Sequence, residues 1–193
     1  MSRFLRLALA AALLTPTAAF AHTGVGATHG LAHGFVHPIG GIDHVLAMVT
    51  VGILAWQLGG RALWLVPASF VGVMAMGGVI GSSGIVMPFV EVGIALSVVV
   101  MGLLVALTIR TPVAAAMGLV AFFAIFHGYA HGAEMPGNAA SFTYGAGFVA
   151  ATALLHAAGI GLGAAIGWLG PVAVRLTGGA FAFAGIVTLV GVV

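Results

Sequence analysis

Six long apolar segments, nearly free of charge, most constrain what this chain can fold into. Only 4% of the 193 residues are charged and 62% are hydrophobic, whereas soluble domains carry about 25% charged residues. A membrane helix needs about 20 mostly apolar residues. The composition excludes a soluble globule, and five scattered arginines form no basic patch that would bind nucleic acid. The six segments cover about 35–58, 62–81, 87–109, 112–132, 142–167 and 171–192.

The first 21 residues have the pattern of a cleavable secretory signal peptide. Two arginines precede a short apolar run, and Ala19-Phe20-Ala21 then matches the small-residue cleavage pattern. An uncleaved N-terminal anchor is the alternative. Cleavage of residues 1–21 would leave 22–193 as a single domain of six transmembrane helices with its N-terminus in the periplasm.

Three arginines set the expected orientation in a bacterial inner (cytoplasmic) membrane. With the mature N-terminus outside, Arg61, Arg110 and Arg175 all lie on the cytoplasmic side, as the positive-inside rule requires. The same topology places every acidic residue and seven of the eight histidines on the periplasmic side. We therefore predict an all-α, multi-pass membrane protein whose periplasmic face collects cations.

The first polar cluster is the motif His37-Pro-Ile-Gly-Gly-Ile-Asp43-His44. Its proline disfavours helical backbone at the preceding residue, and two glycines follow. The first membrane helix is therefore predicted to be kinked or broken near Pro38–Gly41. A regular helix should begin at about Ile42, which places Asp43 near a helix N-terminus, where a carboxylate is favoured. Transporters commonly build ion sites from broken helices of this kind.

The second polar cluster ends the fourth segment and reads Phe126-His127-Gly-Tyr-Ala-His131-Gly-Ala-Glu134. At 100° per residue its two histidines and its glutamate share one helical face. Nitrogen and oxygen ligands of this kind suit Ni²⁺, Co²⁺, Zn²⁺ or Cu²⁺ better than Cu⁺, and the chain has no cysteine. The predicted metal-binding residues are His37, Asp43, His44, His127, His131 and Glu134.

Four further residues are metal candidates that also have a simple structural explanation. His22 would offer a free amine and an imidazole after signal cleavage. His33 precedes the first motif by four residues, and a surface histidine is its alternative. Glu91 begins the third segment, where it would equally cap a helix. His156 lies near mid-membrane, where a histidine commonly donates a hydrogen bond in helix packing.

Both motifs resemble those of the HupE/UreJ family of nickel and cobalt permeases. The shared patterns are His37-Pro-x-x-Gly-x-Asp43-His44 and Phe126-His127-Gly-x-Ala-His131-Gly-x-Glu134. The signal peptide, the mature start at His22 and the six spans are similar too, so the resemblance covers nearly the whole mature chain. It implies secondary uptake of Ni²⁺, with Co²⁺ as the alternative, for hydrogenase or urease maturation. It also implies metal recognition by the six predicted residues.

The predicted function is therefore metal import from periplasm to cytoplasm by a permease that is not an enzyme. The chain has no P-loop, which excludes ATP hydrolysis by this chain on motif grounds, and no prosthetic group is expected. Its expected partners are the divalent metal ion and the lipid bilayer, with no nucleic acid. A homo-oligomer remains open, because the glycine repeat at Gly159–Gly167 would suit packing within one chain or between two.

The alternative function is an intramembrane metalloenzyme of the desaturase or hydrolase type. Histidine pairs with three intervening residues recur in such enzymes, and His33/His37 and His127/His131 have that spacing. The chain lacks a His-Glu-x-x-His motif and any segment that could form a soluble catalytic layer. These absences favour the transporter.

Overall fold

The computed structural model describes residues 30–135 and 141–192, and every regular element in those ranges is an α-helix. The predicted signal peptide, its cleavage site and His22 lie outside the described residues. The described helices are α1 (Gly30–Gly40), α2 (Ile42–Leu58), α3 (Ala62–Ser82), α4 (Val90–Ala106), α5 (Val113–Ala133), α6 (Ser141–Gly167) and α7 (Pro171–Val192).

Four helices (α3, α5, α6 and α7) are long and apolar enough to cross a membrane. Helices α1 and α2 together also suffice, but they meet at 84°, as in a broken span or a re-entrant loop. Helix α4 is apolar but has only 17 residues, so it is shorter at both ends than the predicted segment 87–109. The structure is that of a multi-pass helical protein. It has six membrane spans only if the bent pair α1–α2 forms one span and α4 forms another.

The predicted break in the first span falls at Gly41, between α1 and α2. The expectation that His37 is non-helical is wrong, because His37 and Pro38 both lie in the last turn of α1. There the proline's missing N–H removes only one helical hydrogen bond. Gly41 has extended backbone, and a Cβ on it would come 2.9 Å from Asp43 Oδ1 and 3.1 Å from His44 Nδ1. Glycine at this position leaves room for the Asp43–His44 pair.

Glycines bring neighbouring helices into backbone contact, as is common in membrane bundles. A Cβ on Gly128 or Gly132 of α5 would overlap the carbonyl oxygen of Met74 or Gly78 in α3. The repeat at Gly159–Gly167 packs within this chain, against α2. The same arrangement joins α1 to α6 at Gly34 and Gly147, α2 to α6 at Gly52 and Gly159, and α4 to α7 at Gly102 and Gly178.

This packing turns the histidines of α5 toward the broken span. Gly128 and Gly132 face α3, and each follows a histidine by one residue, or about 100° around the helix. His127 and His131 therefore lie to one side of the contact with α3, and both rings contact that of His44 in α2. Nine of the 17 residues of α2 are buried, so the polar groups at its start lie against the centre of the bundle.

Candidate metal-binding site

Three side chains, from the end of α1 and the end of α5, bring potential metal ligands together. His37 lies in the last turn of α1, His131 in the last turn of α5, and Glu134 directly follows α5. One ligand atom from each lies within 4.8 Å of the others. His37 Nε2 is 3.1 Å from Glu134 Oε2, and the rings of His37 and His131 are 4.7 Å apart. We call these three residues the outer cluster.

The solvent exposure of the three side chains decreases from the surface into the bundle. Glu134 is exposed, His37 is partly buried, and His131 is 7% exposed. Two imidazoles and a carboxylate suit first-row divalent cations such as Ni²⁺, Co²⁺ and Zn²⁺. A cation that arrives from the solvent would meet the carboxylate first and the buried imidazole last.

A second set of polar groups lies deeper, where α2 begins. The His44 ring is 4.4 Å from that of His131 and 4.9 Å from that of His127. Asp43 Oδ1 lies 2.9 Å from His44 Nδ1 and accepts a 2.8 Å hydrogen bond from the His44 backbone N–H. His44 is 8% exposed and His127 is fully buried. We call His44 and His127 the inner pair.

The predicted half-site on α5 is thus divided between the two groups. His127, His131 and Glu134 were expected to act together from one helical face. In the structure, His131 and Glu134 join His37, whereas His127 lies one turn deeper beside His44. His131 contacts the rings of both His37 and His44, so it connects the outer cluster to the inner pair.

Ser97 of α4 is a site residue that the sequence did not identify as a candidate. Its Oγ lies 2.9 Å from His127 Nε2 and donates a 2.6 Å hydrogen bond to the carbonyl of Ile94. Ser97 is fully buried, and the only other polar side chain of this helix is Glu91 in the first turn. A lone hydroxyl in such a helix was the available signal, but only the fold shows that it faces His127.

Two aromatic side chains of α6 also line the site and were not predicted. The Tyr144 ring is 5.7 Å from that of His37, and the Phe148 ring is 4.2 Å from that of His131. Both are buried. Because they lie on a helix whose sequence is apolar all around, no periodicity distinguishes them from residues of the lipid-facing surface.

His33 and Glu91 lie at the edge of the site or outside it. His33 is exposed, and its ring is 5.8 Å from that of His37, so the two are neighbours on α1 as their spacing predicts. Glu91 is exposed in the first turn of α4, where a carboxylate interacts favourably with the helix dipole. Neither belongs to the outer cluster.

His156 lies beyond the inner pair, on the other side of an aromatic ring. The Phe70 ring is 5.5 Å from that of His127 and 5.1 Å from that of His156. His156 is 1% exposed, and neither of its ring nitrogens has a hydrogen-bond partner in the described part of the chain. The hydrogen bond expected for this histidine in helix packing is therefore not seen there.

Glu134→Gln should weaken Ni²⁺ binding by about tenfold or more, because it removes the carboxylate of the outer cluster while keeping its size. Equilibrium dialysis of the purified protein against Ni²⁺ would measure the change. Glu134→Asp keeps the charge and should retain more of the affinity than the glutamine variant. Equal affinity in the parent and in Glu134→Gln would exclude the carboxylate as a ligand.

The apolar helices and the polar groups between them define a multi-pass helical membrane protein. The chain matches the HupE / UreJ protein family over residues 9–188, so it belongs to the HupE/UreJ family. It is 50% identical over 182 residues to Protein HupE of Rhizobium leguminosarum bv. viciae, which covers 94% of this chain and 95% of that protein. No solved structure matches the chain. The expected family is confirmed, and the family is associated with nickel and cobalt uptake for hydrogenase or urease.

Proposed function

We propose that this protein is a secondary transporter that imports Ni²⁺, with Co²⁺ as the alternative cargo, from periplasm to cytoplasm for hydrogenase or urease maturation. The outer cluster carries the proposal, because His37, His131 and Glu134 place three ligand atoms within 4.8 Å of one another. Such a set of nitrogen and oxygen ligands suits these ions. Membership of a transporter family supports import over the metalloenzyme alternative.

The proposed route runs inward along neighbouring imidazoles. Successive ring centroids from His37 through His131 and His44 to His127 are 4.7, 4.4 and 4.9 Å apart. Steps of this length would let an ion exchange one ligand for the next without losing all of them. The inside-negative potential would supply about 2.3 kcal/mol per charge for each 100 mV.

The proposed topology has six spans in the inner membrane, after removal of residues 1–21. The bent pair α1–α2 would be the first span and α4 the third, with the mature N-terminus in the periplasm. Arg61, Arg110 and Arg175 would then lie inside. Arg175, near the start of α7, is exposed and donates a hydrogen bond to the carbonyl of Ala106 at the end of α4. This contact supports Arg175 and Arg110, which follows α4, lying at the same end of the bundle.

Proteoliposomes loaded with a metal-sensitive dye would test this function directly. Addition of Ni²⁺ outside should raise the internal signal, and His44→Ala should abolish the rise. Parallel additions of Co²⁺, Zn²⁺ and Mn²⁺ would rank the cargo. Metal binding without influx would instead favour the enzyme alternative.

Uptake should fall steeply as the outside pH drops below about 6. An imidazole must be neutral to bind a metal, and free imidazole titrates near pH 6.5, so protons compete with the cargo on the acidic side. Initial influx rates in the same proteoliposomes, buffered from pH 5 to 8, would measure this. A flat profile would show that protons do not compete with the cargo for its ligands in this pH range.

A further inference from the structure

We propose that Ser97 is a positioning residue that fixes the tautomer of His127, so that His127 Nδ1 and His44 Nε2 together form an inner binding site for the cargo. The identity of the cargo rests on the proposed function. The assignment of atoms rests on the hydrogen bonds around the inner pair.

The Ser97 hydroxyl determines where His127 carries its proton. A hydroxyl has one proton to donate, and Ser97 Oγ lies 2.6 Å from the carbonyl oxygen of Ile94, which can only accept. Ser97 Oγ must therefore accept from His127 Nε2, at 2.9 Å. Neutral His127 then carries its proton on Nε2 and a lone pair on Nδ1.

Asp43 determines in the same way which ring nitrogen of His44 carries the proton. The carboxylate oxygen Oδ1 accepts from the His44 backbone N–H and lies 2.9 Å from His44 Nδ1. The ring proton therefore sits on Nδ1, which leaves a lone pair on Nε2. Metal-binding histidines usually donate their other ring proton to a carboxylate or a similar acceptor. Asp43 thus acts on the cargo through His44.

The two lone pairs are buried and have no partner among the described residues. His127 Nδ1 and His44 Nε2 both lack a hydrogen bond there, although their rings are only 4.9 Å apart. Buried acceptors normally have a donor, and a cation would satisfy both at once. Both nitrogens of His131, beside His44, also lack a partner in these ranges. A site of imidazoles alone favours Ni²⁺, Cu²⁺ and Zn²⁺ over Mg²⁺ or Mn²⁺.

Three variants separate positioning from packing. Ser97→Ala removes the hydroxyl, and Ser97→Thr keeps it. Thr50→Val is the matched control, because Thr50 is also fully buried and its hydroxyl also bonds a carbonyl of its own helix, that of Leu46 at 2.6 Å.

The first measurement is the tautomer of His127 in full-length protein with isotope-labelled histidine ring nitrogens. Nuclear magnetic resonance of the protein in lipid nanodiscs would identify the His127 signal by its loss in His127→Gln. The parent, Ser97→Thr and Thr50→Val should hold the proton on Nε2, whereas Ser97→Ala should show a mixture. Addition of Zn²⁺, a diamagnetic probe, should shift the Nδ1 signal of His127.

The second measurement is Ni²⁺ affinity by equilibrium dialysis. Ser97→Ala should bind about 10–100-fold more weakly, the range seen when an orienting partner of a metal ligand is lost. Ser97→Thr and Thr50→Val should bind as the parent does. A parent with the proton on Nδ1, or a folded Ser97→Ala with unchanged tautomer and affinity, would overturn the proposal.

The parent tautomer decides the question even if the Ser97 variants fail to fold. A parent that imports Ni²⁺ but holds the proton on Nδ1 would refute the role of Ser97 and leave the proposed function intact. A parent with the expected tautomer that neither binds nor imports Ni²⁺ would refute the proposed function instead.

Discussion

His131→Ala should reduce the initial rate of Ni²⁺ influx into proteoliposomes by about 100-fold, the upper end of the losses seen around metal ligands. The reason is its position between the two groups of ligands. The His131 ring lies 4.7 Å from that of His37 and 4.4 Å from that of His44. Its loss would remove one ligand of the outer cluster and interrupt the route to the inner pair.

A matched histidine separates this effect from a general loss of imidazole. His33→Gln changes an exposed ring that contacts His37 but belongs to neither the outer cluster nor the inner pair. It should leave influx close to that of the parent, whereas His131→Gln should behave like His131→Ala. Equal influx in His33→Gln and His131→Gln would show that His131 is not on the route.

The sequence predicted most helix boundaries because glycine and proline mark them. Helix α7 begins at Pro171, as expected, and α3, α5 and α6 each begin within one residue of the predicted start. The break at Gly41 also followed from local chemistry. Such features depend on the backbone conformation of only a few residues, and glycine and proline in the sequence indicate that conformation.

The grouping of ligands could not be predicted in the same way. Helical periodicity places His127, His131 and Glu134 on one face, but it does not say which other helix meets each turn. That depends on the 84° bend between α1 and α2, which carries His37 to the outer turn of α5 and His44 to the inner turn. The role of Ser97 depends on the packing of α4, for which its apolar sequence gives no preferred face.

Gly128→Ala should destabilise the protein by at least about 1–3 kcal/mol, the usual cost of overpacking a close-packed interior. The added methyl group would overlap the Met74 carbonyl and come 2.9 Å from the Gly78 backbone nitrogen. Both contacts are to backbone, so no side chain can move aside and α3 and α5 must separate. His127 precedes Gly128, so the inner pair would be displaced as well.

Gly118→Ala on the same helix is the matched control, because a Cβ there would meet nothing within 4 Å. Replacing an unconstrained helical glycine by alanine stabilises a helix by roughly 0.5–1 kcal/mol. Thermal unfolding in detergent should therefore show a lower Tm for Gly128→Ala and an unchanged or higher Tm for Gly118→Ala. Ni²⁺ affinity should fall only in Gly128→Ala, since only that substitution moves the histidines of α5. Two variants with the same Tm and affinity would mean that α3 and α5 are not held in backbone contact at Gly128.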